Sequence, residues 1–269
     1  MQAELPSIGF GTWKLENSPE TTQIVRNAIQ AGYRLIDTAS AYGNEAAIGA
    51  ALVGCERDTL WVSGKLWNAD RDRVAAACEA TLRALGCDHL DLYLMHWPAS
   101  PALYPDWAEI NCGVWAQMEQ LVQDGKVRHI GLSNFNVRQL EALLPHCAIP
   151  PLVNQIELHP GYPQTEIVAF CRAQGIAVQA WSPLRSGKLL KKKEIQALAA
   201  SYGRTPAQLI LAWCVQGGVI PIVKSRDSAR MRANLDLDFT LSSEDFEGLS
   251  TLPGMGWSGL NPETLTLFG

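Results

Sequence analysis

The chain has 269 residues, of which 47% are hydrophobic and 18% are charged, and this composition excludes a wholly disordered protein. Its formal net charge of -5 argues against a protein whose main task is to track the phosphate backbone of nucleic acids. One hydrophobic core reaches its upper limit at roughly 250–300 residues, so the length fits one large barrel or two ordinary domains.

Short apolar segments alternate with helical patterns along the whole chain. The predicted strands lie at 7–11, 35–36, 60–62, 90–95, 127–132, 152–156, 176–180 and 219–223. They are continuously apolar, which is typical of strands in a parallel sheet covered on both faces. Helices are predicted at 18–31, 44–53, 70–85, 107–123, 136–144, 164–173, 191–201, 228–235 and 242–252, with one more opened by Thr205 and Pro206. The first is delimited by Ser18 as N-cap, Pro19 as first helical residue and Gly32 as a stop.

Eight consecutive strand–helix units without a linker predict an α/β protein with a closed (β/α)8 TIM barrel rather than an open, doubly wound sheet. The predicted domain is single and spans 1–269, with a short C-terminal tail at 253–269. A short tail predicts an open mouth; the alternative is that Trp257 folds back over it.

The N-terminus and the cysteines bear on location. Residues 1–6 lack the basic and apolar segments of a secretion signal, and no window approaches 18 uncharged apolar residues, so we expect neither secretion nor a membrane span. Seven cysteines without a C-x-x-C motif predict reduced, mostly buried thiols in a cytoplasmic protein.

Polar residues close the apolar segments, at the strand ends where barrel enzymes assemble their sites. Asp37, Tyr42, Lys65 and His96 form the sharpest set. A lysine cation beside a phenol is expected to lower its pKa from about 10 and make proton donation feasible. Asp37 would keep Lys65 charged, and His96 would donate a hydrogen bond to a substrate carbonyl. The set predicts protonation of a carbonyl oxygen while hydride reaches its carbon, although singly each residue also has an ordinary structural explanation.

Several blocks together resemble the aldo-keto reductase family. The segment GYRLIDTA at 32–39, followed by YGNE at 42–45, resembles the family signature. Further blocks follow in the family's order: GKLW at 64–67, LMHWP at 94–98, GLSNF at 131–135, NQIE at 154–157, and Lys224-Ser225 with Arg230 and Asn234. The resemblance extends from 11 to about 252 and is closest to the compact bacterial branch that includes the 2,5-diketo-D-gluconic acid reductases.

The resemblance implies NADPH or NADP+ as cofactor, bound by a barrel that has no G-x-G-x-x-G motif. It assigns Tyr42 as general acid, Asp37 and Lys65 as the pair that tunes it, and His96 as the group that orients the carbonyl. It places the following residues at the cofactor: Gly11, Thr12, Trp13, Asp37, Ser133, Asn134, Gln155, Trp181, Ser182, Leu184, Lys224, Ser225, Arg230 and Asn234.

Within this cofactor set the resemblance implies three tasks. Ser133, Asn134 and Gln155 hold the carboxamide of the nicotinamide, and Trp181 stacks on its ring where other members more often have tyrosine. Ser182 and Leu184 belong to the loop that covers the pyrophosphate. The 2′-phosphate is held by Lys224, Ser225 and Arg230, and two cations and a hydroxyl suit a dianionic phosphate.

The expected substrate pocket is aromatic and consists of Trp13, Trp67, His96 and Trp97. Such a pocket accepts aldehydes, aryl ketones, keto esters or sugar-derived ketones with little discrimination. We therefore expect a small-molecule carbonyl substrate, with no membrane or nucleic-acid partner, and a monomer as is usual for the family.

Two other functions fit part of these observations. The first is a barrel that binds a nucleotide without turnover, and the second is an NADP+-dependent alcohol dehydrogenase that works in the oxidative direction. A metal-dependent hydrolase is disfavoured because His89, His129, His146 and His159 lack ligand spacing, so no metal site is predicted.

Overall fold

Eight parallel strands close into one barrel, as predicted. The computed structural model describes residues 5–254 and 256–265. The strands are β1 Gly9–Gly11, β2 Leu35–Asp37, β3 Trp61–Leu66, β4 Leu90–Met95, β5 Val127–Ser133, β6 Val153–Glu157, β7 Ala177–Trp181 and β8 Val219–Val223. Each strand pairs with the next, and β8 returns to β1 where Gly9 lies opposite Ile222. The (β/α)8 barrel is therefore confirmed.

Helices alternate with the strands on the outside of the barrel, and the last two follow β8. They are α1 Pro19–Ala31, α2 Glu45–Leu52, α3 Val74–Leu85, α4 Trp107–Gln123, α5 Val137–Leu143, α6 Thr165–Ala173, α7 Lys193–Ser201, α8 Pro206–Gln216, α9 Ser228–Ala233 and α10 Ser243–Ser250. The signals at α1 are confirmed: the Ser18 side chain accepts a hydrogen bond from the Thr21 N–H, Pro19 opens the helix, and Gly32 ends it at φ 117°.

Some predicted helix bounds are wrong. The segment Asn68–Arg73 forms a 3-10 turn, and the extended φ of -140° at Arg73 delays α3 until Val74 instead of residue 70. The helices predicted to end at 235 and 252 end at Ala233 and Ser250. The spacing of apolar residues does not distinguish a 3-10 turn or a frayed helix end from an α-helix, because the two helix types have a similar number of residues per turn.

The alternation of side chains along each strand positions the site. Leu92 and Leu94 of β4 pack with Val153 of β6 in a small buried apolar cluster, separate from the larger core under the helices. Alternate residues of a strand point to the same side. His96, two residues after Leu94, and Gln155, two residues after Val153, therefore also point into the barrel, at its mouth. Aliphatic side chains therefore fill the barrel below a polar mouth.

No helix within the described residues is long and apolar enough to cross a membrane. All seven cysteines are free, but only Cys78, Cys171 and Cys214 are buried. The prediction of mostly buried thiols is wrong for the other four, of which Cys55, Cys87 and Cys147 lie just after helices end.

Candidate active site

The ammonium group of Lys65 is the centre of the candidate site. Its Nζ donates hydrogen bonds to Asp37 Oδ2 at 2.7 Å and to the Thr38 carbonyl at 2.9 Å. The same Nζ lies 3.3 Å from the phenol oxygen of Tyr42. Asp37 ends β2, Lys65 lies in β3, and Tyr42 ends the 3-10 turn Ser40–Tyr42 that follows β2. The structure thus brings together the lysine, carboxylate and phenol that the sequence predicted.

His96 completes this group from the end of β4. Its ring lies edge-on to Tyr42, with centroids 5.7 Å apart, and edge-on to Trp67 at 5.2 Å. The Nδ1 of His96 is buried and has no hydrogen-bond partner among the described residues. The imidazole therefore lies between the Tyr42 phenol and the Trp67 indole, and its Nδ1 takes no part in holding it there.

The pKa shifts show how this environment acts on the two cationic candidates. Burial lowers the pKa of Lys65, but the charges of Asp37 and Tyr42 outweigh it and raise the pKa above its usual value. Burial, helped by the Lys65 charge, places the pKa of His96 well below 6.5. At neutral pH the lysine is therefore charged and the imidazole is neutral, because a nearby carboxylate favours a cation whereas desolvation and a nearby cation disfavour one.

The pKa predicted for Tyr42 is wrong in direction. Lys65 does lower the pKa, but burial of the phenol raises it more, and Asp37 adds to that rise. The net pKa is above 10 because the cost of burying a phenolate exceeds the attraction of one ammonium that Asp37 already neutralises. Tyr42 therefore carries its proton at neutral pH.

A cross-barrel hydrogen bond fixes the carboxylate of Asp37. Gln155 Nε2 on β6 donates to Asp37 Oδ1 at 2.9 Å and also lies 2.9 Å from Gln179 Oε1 on β7. Strands β2 and β6 are not neighbours, so this contact spans the barrel interior. Sequence reasoning missed Gln179, although an amide within the apolar segment of β7 was a usable signal.

The loops after β1 and β2 are tied together by Asn44, another residue that sequence reasoning missed. Its Nδ2 donates to the carbonyls of Thr12 and Leu15, each at 2.9 Å, and its Oδ1 accepts from Thr38 Oγ1 at 3.1 Å. Thr12 Oγ1 in turn donates to the carbonyl of Asp37 at 2.9 Å. These contacts hold Gly11, Thr12 and Asp37 beside one another at the mouth.

Ser133, Asn134 and Trp181 meet at the carboxyl ends of β5 and β7. Asn134 takes a φ of 65°, and its Nδ2 donates to Ser133 Oγ at 3.0 Å and to the His96 carbonyl at 2.9 Å. The indole N–H of Trp181 donates to Asn134 Oδ1 at 2.8 Å. A tyrosine ring has no such N–H group, so this contact depends on tryptophan at 181.

A group of cations lies at the end of β8. Lys224 is exposed, and its Nζ donates to the Trp13 carbonyl at 2.7 Å. Partial burial, together with the nearby charges of Arg226 and Lys14, lowers the pKa of Lys224. Ser225 is next to it, with its hydroxyl held by the backbone of Asp227. This concentration of positive charge on an acidic protein favours an anionic ligand.

The remaining predicted cofactor residues are spread around this edge. Ser182, with φ 57°, and Leu184 lie in the loop after β7. Arg230 is exposed on α9, whereas Asn234, just after that helix, is only 4% exposed. Contacts of these four side chains with a cofactor stay a prediction.

The tryptophans of the predicted pocket differ in exposure. Trp13 is 50% exposed, Trp97 is 7% exposed, and Trp67 is intermediate. Trp67 also lines a cavity of about 550 Å³ toward α4. A second cavity of about 200 Å³ lies on the other side of the mouth, against Asn134 and Trp181.

On the side of the second cavity the tail covers the mouth, so the open mouth is wrong there and the alternative, in which Trp257 folds back, describes the structure. Trp257 stacks on Tyr162 with ring centroids 6.2 Å apart, and Trp257 and Leu260 both line the cavity. The covering depends on two contacts with distant residues, in which Ser258 donates to Glu157 and Glu263 accepts from Asn136. The length of the tail does not reveal these contacts.

Within 5–254 and 256–265, no group of three or more histidine, cysteine or acidic residues is arranged to hold a metal ion.

Comparisons with known proteins agree with this geometry. The model of the aldo/keto reductase family matches residues 7–252. Glyoxal reductase of Bacillus subtilis (strain 168) is 42% identical over 267 residues, which is 97% of this chain and 94% of that protein. Aldehyde reductase YPR1 of Saccharomyces cerevisiae is 36% identical, and the match covers 93% of this chain and 88% of that protein.

A crystal structure of a Gox0644 mutant in complex with NADPH has a TM-score of 0.88 to this chain. It is 34% identical, and the match covers 97% of this chain and 94% of the other. The family model spans nearly the whole barrel and includes the four residues of the candidate site, Asp37, Tyr42, Lys65 and His96. The chain therefore belongs to the aldo/keto reductase family.

Proposed function

We propose that this protein is an NADPH-dependent reductase of aldehydes and ketones, with Tyr42 as the general acid. The observation that carries the proposal is the position of Lys65 Nζ, which touches both Asp37 Oδ2 and the Tyr42 phenol in a buried site. Carbonyl reduction is supported by the family and by relatives that are named glyoxal reductase and aldehyde reductase.

Tyr42 delivers the proton in this proposal. Its raised pKa keeps the phenol protonated at neutral pH. As the proton leaves, the Lys65 ammonium 3.3 Å away stabilises the phenolate that forms. Asp37 keeps that ammonium charged, and Gln155 keeps Asp37 in place.

His96 orients the substrate carbonyl. Its imidazole is neutral because of burial and the Lys65 charge, so it offers one N–H donor rather than a second positive charge. The ring lies beside both Tyr42 and Trp67. A carbonyl oxygen between His96 and Tyr42 would therefore accept a hydrogen bond from each of two protonated groups.

The residues present fit NADPH. The exposed cations Lys224, Lys14 and Arg226 suit a 2′-phosphate, and the Trp181 ring and the amide of Asn134 suit a nicotinamide with its carboxamide. When bound, the reduced nicotinamide supplies the hydride to the carbonyl carbon. A neighbouring fold, that of Gox0644, is known in complex with NADPH.

The test is to measure NADPH oxidation over a panel of aldehydes, keto esters, diketo sugars and methylglyoxal, with NADH in parallel. We expect turnover of several aldehydes or dicarbonyls with a preference for NADPH. NADPH binding without turnover across the panel would instead support a non-catalytic nucleotide-binding barrel. The reverse reaction is tested with NADP+ and the matching alcohols, since the same residues also serve oxidation. The monomeric state and the cytoplasmic location stay predictions.

A further inference from the structure

The carboxylate of Glu157, at the end of β6, joins segments of the mouth that are far apart in the chain. Glu157 is only 4% exposed. Its Oε1 accepts a hydrogen bond from Arg185 Nη1 at 2.9 Å, and its Oε2 accepts one from Ser258 Oγ at 2.6 Å. The Ser258 N–H lies within 3.1 Å of both oxygens, and His159 Nε2 is 3.4 Å from Oε1. One carboxylate therefore holds two surface segments and lies beside a buried histidine.

Arg185 belongs to the loop after β7, which begins at Ser182 directly beside Trp181. Ser182, Arg185 and Ser186 all have a positive φ, of 57°, 49° and 51°. Non-glycine residues adopt this conformation at a cost, and it persists where surrounding contacts hold it. The ion pair of Arg185 with Glu157 is such a contact, so it contributes to holding the loop in the conformation seen here.

Ser258 belongs to the described part of the C-terminal tail, 256–265, which is attached near both ends of that range. At the other end, Glu263 accepts hydrogen bonds from Asn136 Nδ2 at 2.6 Å and from Arg138 Nη1 at 2.7 Å. The cavity of about 200 Å³ lies beneath the intervening residues, with Asn134 and Trp181 in its wall. The tail is therefore a strap across the space next to the proposed nicotinamide site.

We propose that Glu157 is a positioning residue that couples the β7 loop to the C-terminal tail, so that closure of the loop over the cofactor strengthens docking of the tail beside the substrate site. This inference rests on the proposed function. The physical reason is that both segments share one buried carboxylate, and losing either partner leaves that charge less well compensated. Coupling of this kind is reciprocal, so the tail must also stabilise the closed loop.

Amide hydrogen exchange of the full chain tests the coupling. Exchange of the peptide at 256–265 is compared with and without saturating NADPH in the wild type and in Arg185→Met. We expect NADPH to slow exchange of this peptide about tenfold in the wild type, the effect of roughly one charge-assisted hydrogen bond. Arg185→Met should abolish the slowing, because the loop no longer reaches Glu157.

Arg138→Met is the matched control. It removes the ion pair at the Glu263 end of the tail and leaves Glu157 untouched. We expect faster tail exchange in this variant, with the slowing by NADPH retained. If Arg185→Met keeps the same slowing as the wild type, the coupling through Glu157 is refuted.

Ser258→Ala gives a second, kinetic readout. By reciprocity it should raise the NADPH dissociation rate, measured by stopped-flow fluorescence, about threefold for the loss of one hydrogen bond. An unchanged rate contradicts the coupling. NADPH that binds and protects the β7 loop but not the tail refutes this inference alone, whereas no binding of NADPH at all refutes the proposed function and this inference with it.

Discussion

Lys65 and Asp37 form an ion pair inside the barrel mouth, with Nζ 2.7 Å from Oδ2 and side chains that are 0% and 4% exposed. A pair in this position is sensitive to the loss of either member, because the partner is left as an uncompensated buried charge. Asp37 also accepts from Gln155 across the barrel, so the carboxylate links the second and sixth strands. Its removal affects both the fold and the site.

Asp37→Asn should lower the free energy of unfolding by about 3–5 kcal/mol, measured by urea denaturation. Asp70→Asn is the matched control, since it breaks an ion pair with Arg73, whose side chain is 70% exposed. We expect less than about 1 kcal/mol there. Equal losses in the two variants would show that burial does not distinguish these pairs.

Tyr42→Phe should reduce kcat by a factor on the order of 10²–10⁴, which is the usual contribution of a general acid. The Kd for NADPH should change little, because Lys65 keeps its bonds to Asp37 and Thr38. Steady-state kinetics and fluorescence titration measure the two quantities. Tyr104→Phe, beside Arg71, serves as the control, and near-normal turnover of Tyr42→Phe would exclude Tyr42 as the acid.

His96 should make the protein less stable as the pH falls. Its pKa in the folded state is well below 6.5, whereas in the unfolded chain it is near 6.5. Below about pH 6.5 the unfolded state therefore binds one more proton, and stability falls by about 1.4 kcal/mol per pH unit. His96→Gln should remove this contribution to the slope, as followed by urea denaturation across pH values between about 7 and 5.

A smaller dependence of stability on pH should persist in His96→Gln. The pKa values of His89 and His129 are also lowered, and burial is the largest cause for both. His129→Gln is the comparison variant, since its ring is partly exposed. Identical pH profiles for the wild type and His96→Gln would mean that His96 is not the buried neutral group described here.

Lys224→Ala should weaken NADPH binding about tenfold or more while leaving NADH binding almost unchanged. The ammonium is a charge-assisted partner for a 2′-phosphate, which NADH lacks. Calorimetric or fluorescence titration with both nucleotides measures the difference. If NADPH and NADH binding are weakened equally, the effect comes from losing the hydrogen bond between Lys224 and the Trp13 carbonyl, not from losing a phosphate contact.

Gly49→Ala and Gly113→Ala should change stability in opposite directions. A Cβ at Gly49 in α2 would lie 2.6 Å from the Leu85 carbonyl oxygen, which is backbone at the end of α3. Gly113 in α4 has nothing within 4 Å of such a Cβ. Alanine in a helix is favoured over glycine by about 0.5–1 kcal/mol, so Gly113→Ala should raise the melting temperature.

Gly49→Ala should lower the melting temperature, because α2 and α3 must move apart to admit the methyl group. Thermal unfolding followed by circular dichroism measures both variants. A stabilised Gly49→Ala would show that the two helices separate without cost.

Much of the site could be predicted from the sequence because strand ends are local signals. Asp37 ends β2, Lys65 is the penultimate residue of β3 and His96 follows β4, and a closed parallel barrel gathers such strand ends at one mouth. The pKa of Tyr42 could not be predicted in the same way. Its direction depends on how far burial outweighs the Lys65 charge, and burial is a property of the packed structure.

Glu157 and the tail show the same limit. Residues 157 and 258 are 101 positions apart, and nothing in either local segment indicates that they form hydrogen bonds. The tail also had too little hydrophobic pattern to predict where it lies. Its position depends on single polar contacts of Ser258 and Glu263 with residues brought near by barrel closure.

The sequence by itself determined the barrel, the order of its strands and the types of side chain at its mouth, because hydrophobic periodicity and strand ends are local features of consecutive residues. Only the tertiary structure decided the cross-barrel bond from Gln155 to Asp37, the neutral state of His96, and the strap formed by the tail. These depend on closure, register and exclusion of water, which arise only when distant residues share the same interior.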